Sequence, residues 1–238
     1  MKHVNYLPLL ISCILVIMFV MSVDLVFARA FNNDFETGDL TDWEEKTGDA
    51  FDFQPTWGDN PTARNRGQPS EHQGDWWLGL AEKYQGPDKG AKLGQKPGDL
   101  ATNAAGAVAP DAPQGTLTSI EFKIIGETMN FLMGGGNRPW ENPNPCCVNL
   151  VINGKVERTM TGSNTETMTR REWDVSDLKN KMAKLVVVDN HTGGWGHPNF
   201  DDVHQANAAG ENIPWDRVLV VQAKGKLAVS WAQMKKYY

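Results

Sequence analysis

After residue 115 the chain alternates apolar and polar positions with a period of two. In "SIEFKI" Ile120, Phe122 and Ile124 alternate with Glu121 and Lys123, and in "CVNLVI" Val148, Leu150 and Ile152 share one face with Asn149 opposite. Such a period predicts half-buried strands. "NGK" at 153–155 follows directly, and Asn-Gly tolerates the positive φ of a type I′ turn, so "CVNLVI" and "VERTMTG" are predicted to pair as a hairpin. Further strands are predicted at "NDFE", "FDFQPTW", "DWWLGLA", "TMNFLMG", "RREWDV", "KLVVVDN" and "RVLVVQA". Turn residues separate these segments and almost no amphipathic helix interrupts them. The pattern predicts an all-β fold, an antiparallel β-sandwich whose loops carry function. "SDLKNK" is predicted to form one helical turn opening on Ser176, and "KLAVSWAQMKKYY" a short amphipathic helix or a tail.

Two regions depart from this rhythm. Residues 84–115 hold few large apolar side chains among many Gly, Ala and Pro, which predicts a flexible loop insertion, because little buried surface is available to offset the ordering entropy. Residues 1–30 carry Lys2 and a long apolar run that ends at "ARA", the small-x-small pattern of a signal-peptidase site. A secretory leader over 1–30 is therefore expected, with an uncleaved membrane anchor as the alternative. The domain is expected over 31–208 and a C-terminal extension over 209–238. The protein is expected to be secreted or held at the cell envelope.

Without the leader's Lys2, Arg29 and Asp24, the chain carries 21 basic and 28 acidic side chains, a net charge of −7. That balance argues against nucleic acid as a partner. Cys13 belongs to the leader, which leaves Cys146 and Cys147, adjacent residues that bridge only with strain. One buried thiol on a strand and one facing outward is the expectation.

Candidate chemistry is sparse. There is no His-Glu-x-x-His helix and no Gly-x-Ser-x-Gly elbow, and the adjacent pairs Glu44/Glu45 and Asp201/Asp202 point to opposite faces of a strand. His191, His197 and His204 are spaced as no tight zinc motif, although three imidazoles can make such a site. Calcium suits the sequence better: Asp34, Glu36 and Asp39 near the start and Asp201 and Asp202 near the end offer hard oxygen donors, and first and last strands of a sandwich often lie side by side. A solvated acidic turn is the plain alternative. Nine tryptophans are present, of which Trp57, Trp140 and Trp195 sit in turn-like contexts beside Gly, Asn, Arg and His. Indole faces stack on sugar rings while such polar groups bond hydroxyls, so the inventory points to glycan binding.

The segments "DFETGDLTDW", "HQGDWWLGLAE", "GTLTSIEFKI", "FLMGGGN", "CVNLVINGKVERTMTG" and "REWDVSDLKNKMAKLVVVDNHTGGWGHPNFDDV" resemble, in order, the jelly-roll modules beside the catalytic domains of family 32 glycoside hydrolases. Most of all the chain resembles the family 66 carbohydrate-binding modules of levanases. The resemblance covers Asn33 to about His204 and departs at the 84–115 loop and at the "RPWENPNPCC" insertion. It implies a non-catalytic jelly roll that binds fructan or a related polysaccharide or oligosaccharide. A structural calcium ion at Glu36 and Asp201, a glycoside hydrolase as partner and a monomeric state are also implied. Carried over residue by residue, it puts Glu71 and His72 at one edge of the site, Asn137 and Arg138 at its floor, and Asp189, Asn190, Trp195 and His197 on the opposite wall.

Two other classes stand beside this reading. A glycan hydrolase would need carboxylates that converge only in space, such as Glu71 with Asp189, roughly 5 to 9 Å apart across a cleft. An envelope scaffold would bury Trp140 and Trp195 and lack a concave polar site.

Overall fold

The computed structural model describes residues 30–59, 67–83, 111–215 and 220–221; the segment expected to be a leader, most of the 84–115 segment and the expected terminal helix "KLAVSWAQMKKYY" lie outside the described residues. Within the described residues the chain forms two antiparallel sheets packed face to face. The first holds β1 (Trp43–Gly48), β4 (Gly115–Ser119), β5 (Glu121–Lys123), β7 (Cys146–Ile152), β8 (Lys155–Thr161), β10 (Met182–Asp189) and β13 (Val220–Val221). The second holds β2 (Thr56–Trp57), β3 (Trp76–Gly79), β6 (Thr128–Gly135), β9 (Thr165–Asp174), β11 (Pro198–Ala206) and β12 (Asn212–Ile213). This is the expected sandwich.

The predicted hairpin forms as β7 and β8, and Asn153 and Gly154 adopt φ of 50° and 78°, as a type I′ turn requires. The inward residues of both sheets make one core. Leu117, Leu150, Leu185 and Val187 from the first sheet meet Met129, Phe131 and Phe200 from the second. Aromatic pairs knit it together: Phe35 stacks on Trp43 at 5.2 Å, and Phe131 meets Trp173 edge-on at 4.5 Å. Trp77, Leu132 and Met168 form a small satellite cluster apart from this core.

Several expectations change. "NDFE" is a turn with Phe35 at φ 58°, and of "FDFQPTW" only Thr56–Trp57 is strand. Ser176 starts a 3-10 turn, Ser176–Leu178, but its hydroxyl bonds the Asp174 carboxylate at 2.6 Å and caps nothing. The fold also continues past residue 208. Trp215 is buried against Phe31 and Phe122, and its indole N–H donates to the Val203 carbonyl at 2.8 Å. Residues up to at least Trp215 therefore belong to the domain, and β13 adds a strand beside β5.

Both cysteines are free and buried. Cys147 faces away from the core, as alternation with Val148 requires, yet it is covered, and Glu141 of the preceding loop acts on it electrostatically. The expected outward thiol lies beneath the 137–145 loop. Burial pushes the Cys146 thiol up to about 12, with Asp189 adding to the effect, and pushes Cys147 up to about 11.

Candidate functional site

A cleft lies on the outside of the first sheet. Strand β10 sits between β4 and β7, and its register pairs Val188 with Thr116 and Cys147, and Val186 with Thr118 and Asn149. Val186 and Val188 point away from the core-facing Leu185 and Val187. With Val151, Val156 and Asn149 they make an apolar floor, and Thr47 and Thr116, whose hydroxyls lie 2.8 Å apart, make one side. At the end of this floor rises the 137–145 loop. The result is a cleft of about 620 Å³ rimmed by Trp140, Asn142, Pro143, Gln114 and Asn190.

The loop is held in place. Arg138 donates its N–H to Thr161 Oγ1 at 2.7 Å and accepts from the Cys146 N–H at 3.0 Å, which closes the loop at its base. Asn190 N–H donates to the Pro145 carbonyl at 2.9 Å, tying the loop to the end of β10. Pro139, Pro143 and Pro145 restrict the backbone further. Trp140 nonetheless remains 43% exposed, one of two large apolar side chains in the described residues left so open. Across the cleft the Gln114 amide donates to both oxygens of Asn190, backbone at 2.7 Å and side chain at 2.9 Å. That pairing leaves Gln114 Oε1 and Asn190 Nδ2 facing other partners.

The residues singled out from sequence disperse. Of the eight residues that the family resemblance places in the site only Asn190 lines the cleft, joined by Trp140 from the tryptophans in turn-like contexts. Asn137 and Arg138 stand in the loop, fixed through their backbone N–H groups to Asn164 Oδ1 and Thr161 Oγ1. Glu71 is exposed in the turn after Ser70, and His72 stacks on the satellite Trp77 at 5.5 Å while bonding Ser70 Oγ at 2.6 Å. Asp189 and His197 are interior groups rather than an exposed wall, at 3% and 1% exposure. His197 Nδ1 lies 2.7 Å from Asp111 and its Nε2 lies 3.2 Å from Glu166, which also accepts from Asn199 at 3.0 Å. Burial alone lowers the His197 pKa, but the two carboxylates outweigh it and push it up to about 9. Asp189 accepts from the Cys146 thiol at 3.6 Å, and burial pushes its carboxyl up to about 7 against the attraction of His197. Such buried networks order loops.

Trp195 is half-buried at φ 60°, a strained setting for a bulky residue, with its ring 6.0 Å from His197. Two glycines near it, Gly136 and Gly196, abut the protein's own backbone, whereas Gly194 faces open space. A Cβ at Gly136 would lie 2.0 Å from the Trp195 carbonyl, and one at Gly196 2.3 Å from the His191 carbonyl. The three histidines do not meet: His204 bonds Asp202 at 2.7 Å, far from the His197 network in hydrogen-bond terms, and among the described residues no group of three metal-ligating side chains converges.

Glu36 and Asp201 do come together. Asn33 lies beside β11, exchanging hydrogen bonds of 3.0 Å with Val203, so the start of the domain runs along its last long strand. Glu36 Oε1 then accepts the N–H groups of Asp75 and Trp76 at 2.8 and 2.9 Å, and Asp201 Oδ2 accepts that of Gln73 at 2.9 Å. Asp202 occupies φ 49° in a β11 bulge, where Arg170 bonds both its carbonyl and its carboxylate. The bulge re-aims Asp201 into the interior. There burial, with Asp202 and Glu36 adding negative charge, raises its pKa well above the ordinary range despite the bond from Gln73. Burial likewise raises Glu36. Among the described residues no Lys or Arg bonds either carboxylate. Asp201 is buried and Glu36 exposed, and both present oxygen donors of the hard type that calcium takes, although no third metal-ligating side chain joins them among the described residues.

No protein-family model matches the chain. Over 102 residues, 43% of this chain, it is 41% identical to a putative glycosyl hydrolase, ecdE, from Aspergillus rugulosus. The matched stretch spans 14% of that protein's length. Among solved structures, TmCBM61 in complex with β-1,4-galactotriose is similar over 74% of this chain and 96% of its own, at 17% identity and a TM-score of 0.38. A family 35 carbohydrate-binding module from an environmental isolate is similar over 51% and 81%, at 15% identity and a TM-score of 0.29.

Proposed function

We propose that this protein is an exported, non-catalytic glycan-binding module, and that its ligand lies in the cleft on the outer face of the first sheet. The observation that carries the reading is Trp140, an exposed indole held by a proline-rich loop over an apolar floor with amides on the rim. A sugar ring offers an apolar face to stack and an equatorial belt of hydroxyls that both donate and accept, and an indole beside Asn and Gln side chains matches both. Binding without cleavage fits the same lining. No Asp or Glu is among the described cleft residues, so the site lacks the paired carboxylates of glycoside hydrolysis. Asp189, one half of the pair a hydrolase reading needs, is buried against Cys146.

A catalytic partner is part of the proposal. The relative named a glycosyl hydrolase is far longer than the stretch it shares with this chain, which supports a module that delivers a separate glycan-cleaving unit to its substrate. Calcium at Glu36 and Asp201 is proposed as structural: it would offset their charge and lock the 73–76 turn to β11. The resemblance to levanase modules makes fructans one ligand to test among others.

Retention of the purified protein on immobilised polysaccharides, compared with that of Trp140→Ala, tests the reading. Selective retention that the substitution removes is the expected result. Equal retention of both proteins would rule out the cleft.

A further inference from the structure

Resting on the glycan-binding reading, we infer that the cleft takes an uncharged polysaccharide and holds it along its length rather than at a chain end. Every described residue that lines it is uncharged: four valines, glycines, prolines, threonines, Trp140 and the amides Gln114, Asn142, Asn149 and Asn190. A uronate or sulfate ester brought onto this floor would lose water and meet no cation among the described lining residues. Arg138 sits in the Trp140 loop but does not line the cleft, and two lysines near the fringe are matched. Lys184, the outward residue next to Val186 along β10, lies 2.7 Å from Glu45, and Lys155 on β8 lies 3.1 Å from Glu157. Glu141, between Trp140 and Asn142, adds negative charge to the same loop. A polyanion is therefore disfavoured on the described floor.

Shape supplies the second half. A volume of about 620 Å³ exceeds one sugar ring and has room for roughly two to four. The amides open to a ligand's hydroxyls sit apart on the rim, Asn142 in the Trp140 loop and the bonded pair Gln114 and Asn190 at the strand ends, while Asn149 in the floor is 1% exposed. A single terminal residue would reach only some of them, whereas successive rings of one chain reach all. Recognition is then cumulative, by one stacking contact and several amide bonds, without an ionic anchor.

The inference is tested by affinity electrophoresis and calorimetry of the full chain and of Trp140→Ala and Val186→Lys. The ligands are levan, inulin and β-1,4-galactan as neutral polymers, polygalacturonate and alginate as anionic ones, and an oligosaccharide series of whichever neutral polymer binds. The expected result is retention by at least one neutral polymer, unchanged from low to roughly half-molar salt. Affinity should rise at least tenfold from monosaccharide to trisaccharide, and Val186→Lys should lose neutral retention and gain salt-sensitive retention on polygalacturonate. Salt-sensitive binding of an anionic polymer by the wild type, lost in Trp140→Ala, would overturn the neutral class while leaving the glycan cleft standing. Equal affinity for monosaccharide and polymer would overturn binding along the chain. Binding to none of these polymers, or binding that Trp140→Ala leaves intact, would overturn the glycan reading and this inference with it.

Discussion

The imidazole of His197 lies 3.2 Å from the Glu166 carboxylate, and both side chains are almost wholly enclosed between β11 and β9. A histidine in that setting is a cation by virtue of its neighbours, with Asp111 holding its other nitrogen at 2.7 Å. Its pKa is about 9 folded against 6.5 for the free side chain. A raised pKa means that the folded state holds the proton longer, so this contribution is complete below pH 6.5 and fades as pH rises through about 9. Asp189 acts in the same direction over a lower window, from 3.8 to about 7, because its buried carboxyl resists ionising. Thermal unfolding followed across pH should show the highest melting temperature in mild acid and a steady fall to pH 9. His197→Gln should flatten the upper part of that fall and spare the lower part.

Calcium should contribute measurably to stability. A chelator is expected to lower the melting temperature of the wild type, and Asp201→Asn or Glu36→Gln should remove most of that difference. An unchanged melting temperature with chelator would discard the ion and leave the two carboxylates as simple acceptors for the 73–76 turn.

Trp140→Ala should separate binding from folding. The side chain contributes little to the core, so the change in stability should be within about 0.5 kcal/mol. Loss of a central stacking contact should weaken glycan binding at least tenfold, or about 1.4 kcal/mol. Denaturant titration and calorimetry on the same preparation check both.

Removing Trp215 should do the reverse. Its ring packs on Phe31 at 4.9 Å within the main core, and Trp215→Ala is expected to cost about 3–5 kcal/mol. A chain truncated after residue 208 should be destabilised at least as much, visible as a lower denaturation midpoint.

Neither cysteine should react while the protein is folded. Both thiols are buried and pushed to about 12 and about 11, so the thiolate is scarce at pH 8. Alkylation followed by peptide mass mapping should show no adduct at Cys146 or Cys147 in buffer and one at each in denaturant. Rapid labelling of Cys147 alone would mean that the 137–145 loop lifts off the sheet.

Much of the fold could be read along the chain. The alternation in "CVNLVI" and the Asn153–Gly154 turn are local signals, and their hairpin forms where expected, whereas "SIEFKI" breaks at Ile120 between β4 and the short β5. The candidate site was legible only in part. "KLVVVDN" is apolar at consecutive positions, a sign that both faces of that strand are covered, and the proline-rich 137–145 insertion with its tryptophan supplies the cover. Those two signals together would have pointed to the cleft. The resemblance puts His197 on the wall of a binding site, whereas the fold encloses it between Asp111 and Glu166, partners distant in the chain.

By itself the sequence determined the strand periods, the hairpin, the scarcity of cationic charge and the lack of any local catalytic motif, because each depends on residues within a few positions of one another. The tertiary structure alone decided that Trp140 stands over Val186 and Val188, that Glu36 and Asp201 hold one turn, and that His197 is enclosed by Asp111 and Glu166. Burial and charge compensation arise between residues distant in the chain, and no local period encodes which of them will meet.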